Sequence, residues 1–155
     1  MPTRADLTAA TASLCTAFST GADIPTLLST FTTSPAPQIH EHGHPGLTPF
    51  LGRTFTGRDG VTDYFNILDV NLGVEEMWFD EEQSWVVDTE NKVVCLRGRA
   101  RFVSKVSGEK WDEVFIYRIS LAAEEEGGWK VRVYEIWADT GAAYLAGRGE
   151  LRNLS

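Results

Sequence analysis

Val94-Cys95-Leu96-Arg97-Gly98-Arg99-Ala100-Arg101-Phe102 alternates without interruption between two kinds of side chain. Successive residues of a strand point to opposite faces, so Val94, Leu96, Gly98, Ala100 and Phe102 share a small or apolar face. Arg97, Arg99 and Arg101 share the other. Three arginines lining an enclosed wall would leave a large uncompensated charge in a water-poor place, which makes the arginine row the outer one. This stretch therefore reads as a long strand with an inside and an outside.

The same period of two extends in both directions. From Gly73 onward, segments near 74–87, 92–105, 110–122 and 128–138 are separated by the turn signals Thr89-Glu90-Asn91, Ser107-Gly108 and Gly127-Gly128. These predict a meander of antiparallel strands. Fourteen residues extend about 45 Å at ~3.3 Å each, too long for a flat sheet in a small domain, so the sheet has to curl. A curled sheet needs something in its hollow, and the first half of the chain supplies helices. Leu7, Ala10, Leu14, Ala17 and Phe18 recur at helical spacing behind a Thr3/Asp6 capping box. Asp23, Pro25 and the Ile24, Leu27, Leu28, Phe31 pattern give a short second helix. Thr56-Gly57-Arg58-Asp59, another capping-box pattern, opens a third, whose buried face is Val61, Tyr64, Phe65, Leu68 and Leu72. Between helices two and three lie a short strand around Ile39-His40-Glu41-His42-Gly43-His44 and a loop enforced by Pro45, Gly46, Pro49 and Gly52. The expected fold is α+β: a cone-shaped, curved antiparallel sheet packed on three N-terminal helices, in one domain spanning 1–155 with 140–155 as a tail.

Composition narrows the function. A formal net charge of −8 over 155 residues disfavours nucleic acid and anionic membranes, which require a basic stripe. No uninterrupted apolar run reaches eighteen residues, and the two cysteines, Cys15 and Cys95, sit far apart within apolar patterns, as buried free thiols do. A cytoplasmic location and neither a nucleic-acid nor a membrane partner are expected. Gly52 to Gly60 lacks the lysine and upstream strand of a phosphate loop, so it reads as turn and helix cap.

All three histidines fall two apart at His40, His42 and His44. In a strand this spacing puts them on one face, and an inward-facing row would bring proton-exchanging groups into one cavity. A metal is not expected there, because side chains along one strand face do not converge on an ion without a bend and no further histidine completes the set. Glu113 and Glu135 each sit in an apolar row, with Trp111, Phe115 and Tyr117 or with Val131, Val133 and Trp137. Two placements fit. Either both carboxylates lie on the convex face, paired with the arginine row under a dimer partner, or both are desolvated in the cavity and hold protons more tightly. Charge pairing favours the first.

The order helix, helix, strand, helix, then four strands resembles the nuclear transport factor 2-like superfamily, specifically its SnoaL-like branch. The likeness rests on Phe31 before a Pro-rich turn, on 42–53 (HGHPGLTPFLGR), on Gly57-Arg58-Asp59-Gly60-Val61, and on Trp129-Lys130-Val131 leading to Tyr134-Glu135-Ile136-Trp137-Ala138-Asp139. That superfamily includes ketosteroid isomerases, scytalone dehydratases, limonene epoxide hydrolases and polyketide cyclases, as well as members that only bind or dimerise. Registered on the epoxide hydrolases, the arginine and aspartate that activate water fall near Gly98 and Ala100, and the last-strand carboxylate near Ile136; the end-of-strand aspartate matches Asp139. The resemblance implies a cofactor-independent cyclase, isomerase or dehydratase acting on a small apolar secondary metabolite such as a polyketide or terpenoid. Placed on these residues, such a reaction would use His42 as base, His40 as its partner or the acid and Tyr134 as a donor to the developing enolate, with His44, Phe18, Phe50, Tyr64, Phe65, Trp78, Ile136 and Asp139 as walls and mouth. A homodimer is expected, because the convex face is too aromatic to stay wet. The alternative is a noncatalytic dimeric small-molecule-binding or interaction module on the same fold.

Overall fold

The computed structural model describes residues 1–154; Ser155, the last residue of the expected tail, lies outside them. Helix α1 (Arg4–Ser19) starts where the sequence places it: Thr3 Oγ1 accepts the Asp6 N–H, and Asp6 Oδ2 accepts the Thr3 N–H at 2.7 Å. Its inner stripe of Leu7, Leu14, Cys15 and Ala17 is buried. Helix α2 (Ile24–Leu28) is capped by Asp23 Oδ1 on the Thr26 N–H. Strand β1 (Gln38–Glu41) follows, then β2 (Thr54–Thr56) inside what the sequence suggests is loop. Helix α3 (Gly57–Asn71) does not carry the expected capping box, since Thr56 makes no side-chain cap bond. Gly57 instead turns with φ +78° and gives its N–H to the Pro37 carbonyl, a backbone angle that a residue with a Cβ adopts only at a cost.

The predicted strand at 74–87 is two strands, β3 (Leu72–Phe79) and β4 (Val86–Asp88), and both pair with β5 (Val93–Ser104). The chain leaves the sheet at Asp80 because Trp85 folds inward, buried and donating its indole N–H to the Asp80 carbonyl. Strands β6 (Lys110–Ala123) and β7 (Trp129–Trp137) complete the meander. The sheet order is β2-β1-β7-β6-β5-β3. It is mixed, not purely antiparallel: β1 lies parallel to β7, with Ile39 opposite Tyr134 and Glu41 opposite Ile136. A parallel neighbour requires a long crossover, here everything from β2 to β6. Register breaks at Val74/Glu76 and Ser120/Leu121 are bulges that increase twist and let the sheet wrap.

The wrapped sheet stays open as a cone. Its concave side packs on α1 and α3 through Leu7, Leu14, Phe31, Val61, Tyr64 and Phe65. The expected α+β cone is therefore present. Within the tail, α4 (Thr140–Gly147) is capped by Asp139 on the Ala142 N–H, and a short 3-10 turn follows at Leu151–Leu154. Among the described residues no helix is long and apolar enough to cross a membrane.

Candidate functional site

Strand parity on β1 is set by Ile39, fully buried against the core. A period of two then carries Glu41 inward and turns His40 and His42 outward. The expectation of an inward histidine row is thus overturned. His42 lies flat on the Trp137 indole, ring centroids 4.2 Å apart at 9°, and its Nε2 sits 3.2 Å from Glu135 Oε2. Arg118 approaches the same carboxylate at 3.6 Å. His40 Nδ1 meets Thr54 Oγ1 at 2.9 Å; partial burial, then the neighbouring His42, lower its proton affinity. His44 leaves the strand and accepts the Gly46 N–H in the following loop. All three lie outside the cone. Among the described residues no group of three or more His, Cys, Asp or Glu side chains is placed to hold a metal.

The row on β5 does face inward as read, with the arginines outside, Arg97 on Asp80 and Arg101 on Asp112. Gly98 is not a vacated position. A Cβ there would lie 2.3 Å from Phe115 Cε2, so the missing side chain is what admits the Phe115 ring. The two carboxylates in question separate, each following one of the two placements. Glu135 is outside, opposite Arg118 across β6 and β7. Glu113 is inside, because Trp111, Phe115 and Tyr117 on its face are core residues; the aromatic row expected on the convex side is interior.

The hollow that results is a cavity of about 100 Å³. Its walls include Phe18, Phe50, Tyr64, Phe115, Tyr117, Tyr134 and Ile136, with Asp139 at the rim, as expected of five of the predicted wall residues and of Tyr134. Phe65 is buried behind that wall, against Phe18, Phe31 and Tyr64. Trp78 is half-exposed on the outer face, opposite Arg99. Among the described residues no lysine, arginine or histidine lines the cavity.

Two acids do. Glu41, 8% exposed, receives the Tyr64 hydroxyl on Oε1 at 2.5 Å. Burial pushes its carboxyl up to about 7; the Tyr64 bond opposes that shift and the Glu113 charge adds to it. Glu113 receives the Trp111 indole N–H on Oε1 and the Asp139 backbone N–H on Oε2, both at 2.9 Å. Burial raises its proton affinity as well, against those two donors. Burial also raises the phenols of Tyr64, Tyr117 and Tyr134, which stay protonated donors. Glu41 was missed by sequence reasoning, although Ile39 two residues earlier was the signal for its parity.

Next to the cavity a second hollow of about 170 Å³ shares Phe50, Leu72 and Ala143 with it and adds Leu47, Ser104 and Tyr144. It marks the mouth, with α4 lying across it.

No family model matches the sequence, and no curated protein matches it. Solved structures do. A ketosteroid isomerase-like protein from Erwinia carotovora atroseptica is 19% identical, with 87% of this chain and 95% of that chain covered at a TM-score of 0.63. An NTF2-like protein from Burkholderia thailandensis is 18% identical, covering 94% and 98% at 0.69. The chain has the nuclear transport factor 2-like fold. PrhC from Penicillium brasilianum has the same NTF2-like cone at 19% identity, with 98% of this chain and 97% of that chain covered and a TM-score of 0.66. At such identities the likeness is one of fold, and function has to come from the site.

Proposed function

We propose that this NTF2-like chain is an acid–base enzyme acting on a neutral, largely apolar small molecule, with Glu41 and Glu113 as the proton-handling pair. The observation that carries the reading is two carboxyls, each with its proton affinity raised by burial, facing one aromatic cavity with no cationic side chain among the described residues on its walls. The ketosteroid isomerase-like neighbour lends it support.

Environment divides the roles. Both oxygens of Glu113 accept N–H donors, an arrangement that favours the carboxylate and suits a base. Glu41 has a single phenolic donor and deeper burial, so it keeps its proton near neutral pH and suits an acid. Tyr64 fixes Oε1 and leaves Oε2 to present the proton. Glu113 takes a proton from a carbon made acidic by an adjacent carbonyl. Glu41 donates to the carbonyl oxygen as charge develops there; delivery of the carbon proton from Glu113 to a second position, with the enol O–H proton going back to Glu41, completes an isomerisation. Loss of a leaving hydroxyl, or attack on a second carbonyl, makes the same enol a dehydration or cyclisation intermediate. The step asks for no cofactor. Absence of any cationic side chain on the walls disfavours carboxylate or phosphate ligands.

The test is α-proton exchange of a panel of neutral cyclic ketones and polyketide-like diketones in D2O, followed by NMR. We expect exchange with the wild type, and loss by ~10²-fold or more in Glu113→Gln and Glu41→Gln, with His42→Ala active. Exchange undiminished in both glutamine variants contradicts the assignment.

A further inference from the structure

Glu113 does two things at once. Its Oε1 takes the Trp111 indole N–H, and its Oε2 takes the backbone N–H of Asp139, the residue that caps α4. Helix α4 lies over the mouth: Ala143 reaches the cavity, while Tyr144, Gly147 and Arg148 line the outer hollow. The far end of α4 is fastened separately, by the Ser107 hydroxyl donating to the Ala146 carbonyl and by Glu109 receiving both the backbone N–H and Nε of Arg152. The near end has the Glu113 bond and the local cap of Asp139 Oδ1 on the Ala142 N–H.

We propose that α4 is a lid on the cone and that the Glu113 carboxylate is its latch, so that a proton arriving on Glu113 frees the near end of the lid. An ionised carboxylate is the stronger acceptor. Once protonated, one of its oxygens becomes a donor facing either an indole N–H or an amide N–H, and one of the two bonds is lost. The first turn of α4 then loosens on the two-residue Ala138-Asp139 link from β7, while the far attachment at Ser107 and Glu109 holds. Resting on the proposed role of Glu113 as base, this couples chemistry to access: the mouth is held shut while the base is charged and loosens after it has taken the substrate proton.

Several charged or titratable groups surround this latch. Asp139 faces it from the β7–α4 connection, Glu41 from β1, Tyr64 from α3 and Tyr117 from its own strand. Beyond the rim, a groove shared with Glu113 and Asp139 holds Glu76 from β3, Arg99 and Arg101 from β5, and Asp112. Asp139 is the rival switch, because losing its charge would undo the α4 cap.

Hydrogen exchange of the full chain, read over peptides spanning 139–147 and corrected for intrinsic exchange, tests the latch without turnover. In the wild type we expect local opening to rise about tenfold or more from pH 8 to pH 4, below the ordinary carboxyl value of 4.5 above which burial lifts Glu113. Glu113→Gln should show the raised opening at both pH values, whereas Glu41→Gln should keep the pH-dependent step. Trp111→Phe, which removes one donor to the carboxylate, should move the midpoint to higher pH and serves if Glu113→Gln does not fold. A wild-type pH step retained in Glu113→Gln assigns the switch to Asp139 and overturns the proposal, as does an unmoved midpoint in Trp111→Phe. Ketone exchange that fails while the lid responds as stated removes the catalytic reading and leaves the latch standing.

Discussion

Replacing Glu41 with glutamine keeps shape and a carbonyl acceptor for the Tyr64 hydroxyl while deleting the charge. The wild-type carboxyl, pushed from 4.5 to about 7 in the folded chain, binds protons more tightly folded than unfolded. Its favourable contribution is complete below about pH 4.5, declines between the two values, and is gone above pH 7. At ~1.4 kcal/mol per unit, about 3 kcal/mol of stability is lost across that window. The variant has nothing to titrate there. Its amide N–H2 adds a pH-independent cost of ~1–3 kcal/mol if one donor stays unpaired, so the informative quantity is the change in ΔΔG with pH. Urea denaturation at pH 4.5 and pH 8.5 should show the variant gaining about 3 kcal/mol on the wild type between them, or ~6–12 °C in Tm for a chain of this size. A ΔΔG that is flat over that range would refute the claim that burial dominates the Glu41 environment.

Other outcomes follow from the same packing. Gly98→Ala puts a methyl within 2.6 Å of both Phe115 Cε2 and Cζ, and thermal denaturation should show ~1–3 kcal/mol of overpacking; an unchanged Tm contradicts the close approach. Asp6→Ala removes half of the α1 capping box and should lower the urea midpoint; an unchanged midpoint contradicts the reciprocal cap. Cys15, buried and with its thiol pushed up to about 12, should resist thiol reagents at pH 8 until the chain unfolds, and prompt labelling in the folded state contradicts its burial. Trp78, Ile116 and Trp137, each 42–50% exposed on the convex sheet face, should mediate a homodimer, so light scattering should read a dimer for the wild type and a monomer for Trp137→Glu; a monomeric wild type removes that partner.

How far the sequence reaches depends on which signal each strand carries. On β5 the arginines and the small residues agree, so inside and outside were legible from alternation alone. On β1 one buried isoleucine, Ile39, sets the parity against three conspicuous histidines, and the histidines drew the reading to the wrong face. Glu113 was ambiguous because charge pairing argued for one face and its aromatic neighbours for the other. Burying Trp111, Phe115 and Tyr117 releases several kcal/mol, which outweighs an exposed ion pair worth ~1 kcal/mol or less, so the aromatics decided. The parallel seating of β1 beside β7 left no local trace, since partners separated by nearly a hundred residues are chosen by the closing of the sheet. Helix α3 shows the limit of motif reading: the capping residues are there, yet Gly57 satisfies the chain start through backbone geometry. Tyr134 and five of the predicted wall residues were found because aromatic and apolar residues on known inner faces can hardly go elsewhere, whereas Trp78 fell on the outer face with the parity of β3.

Acid catalysis by Glu41 requires its carboxyl to hold a proton inside the cone up to about pH 7. Carbon-13 NMR titration of the glutamate side-chain carboxyls, with Glu41→Gln assigning the resonance, measures this directly. A Glu41 carboxyl titrating with a midpoint about 7 is the predicted result. A midpoint near 4.5, its ordinary value, would mean that the carboxylate is charged and solvated in the cavity, and it would contradict both the acid role and the water-poor hollow on which that role depends.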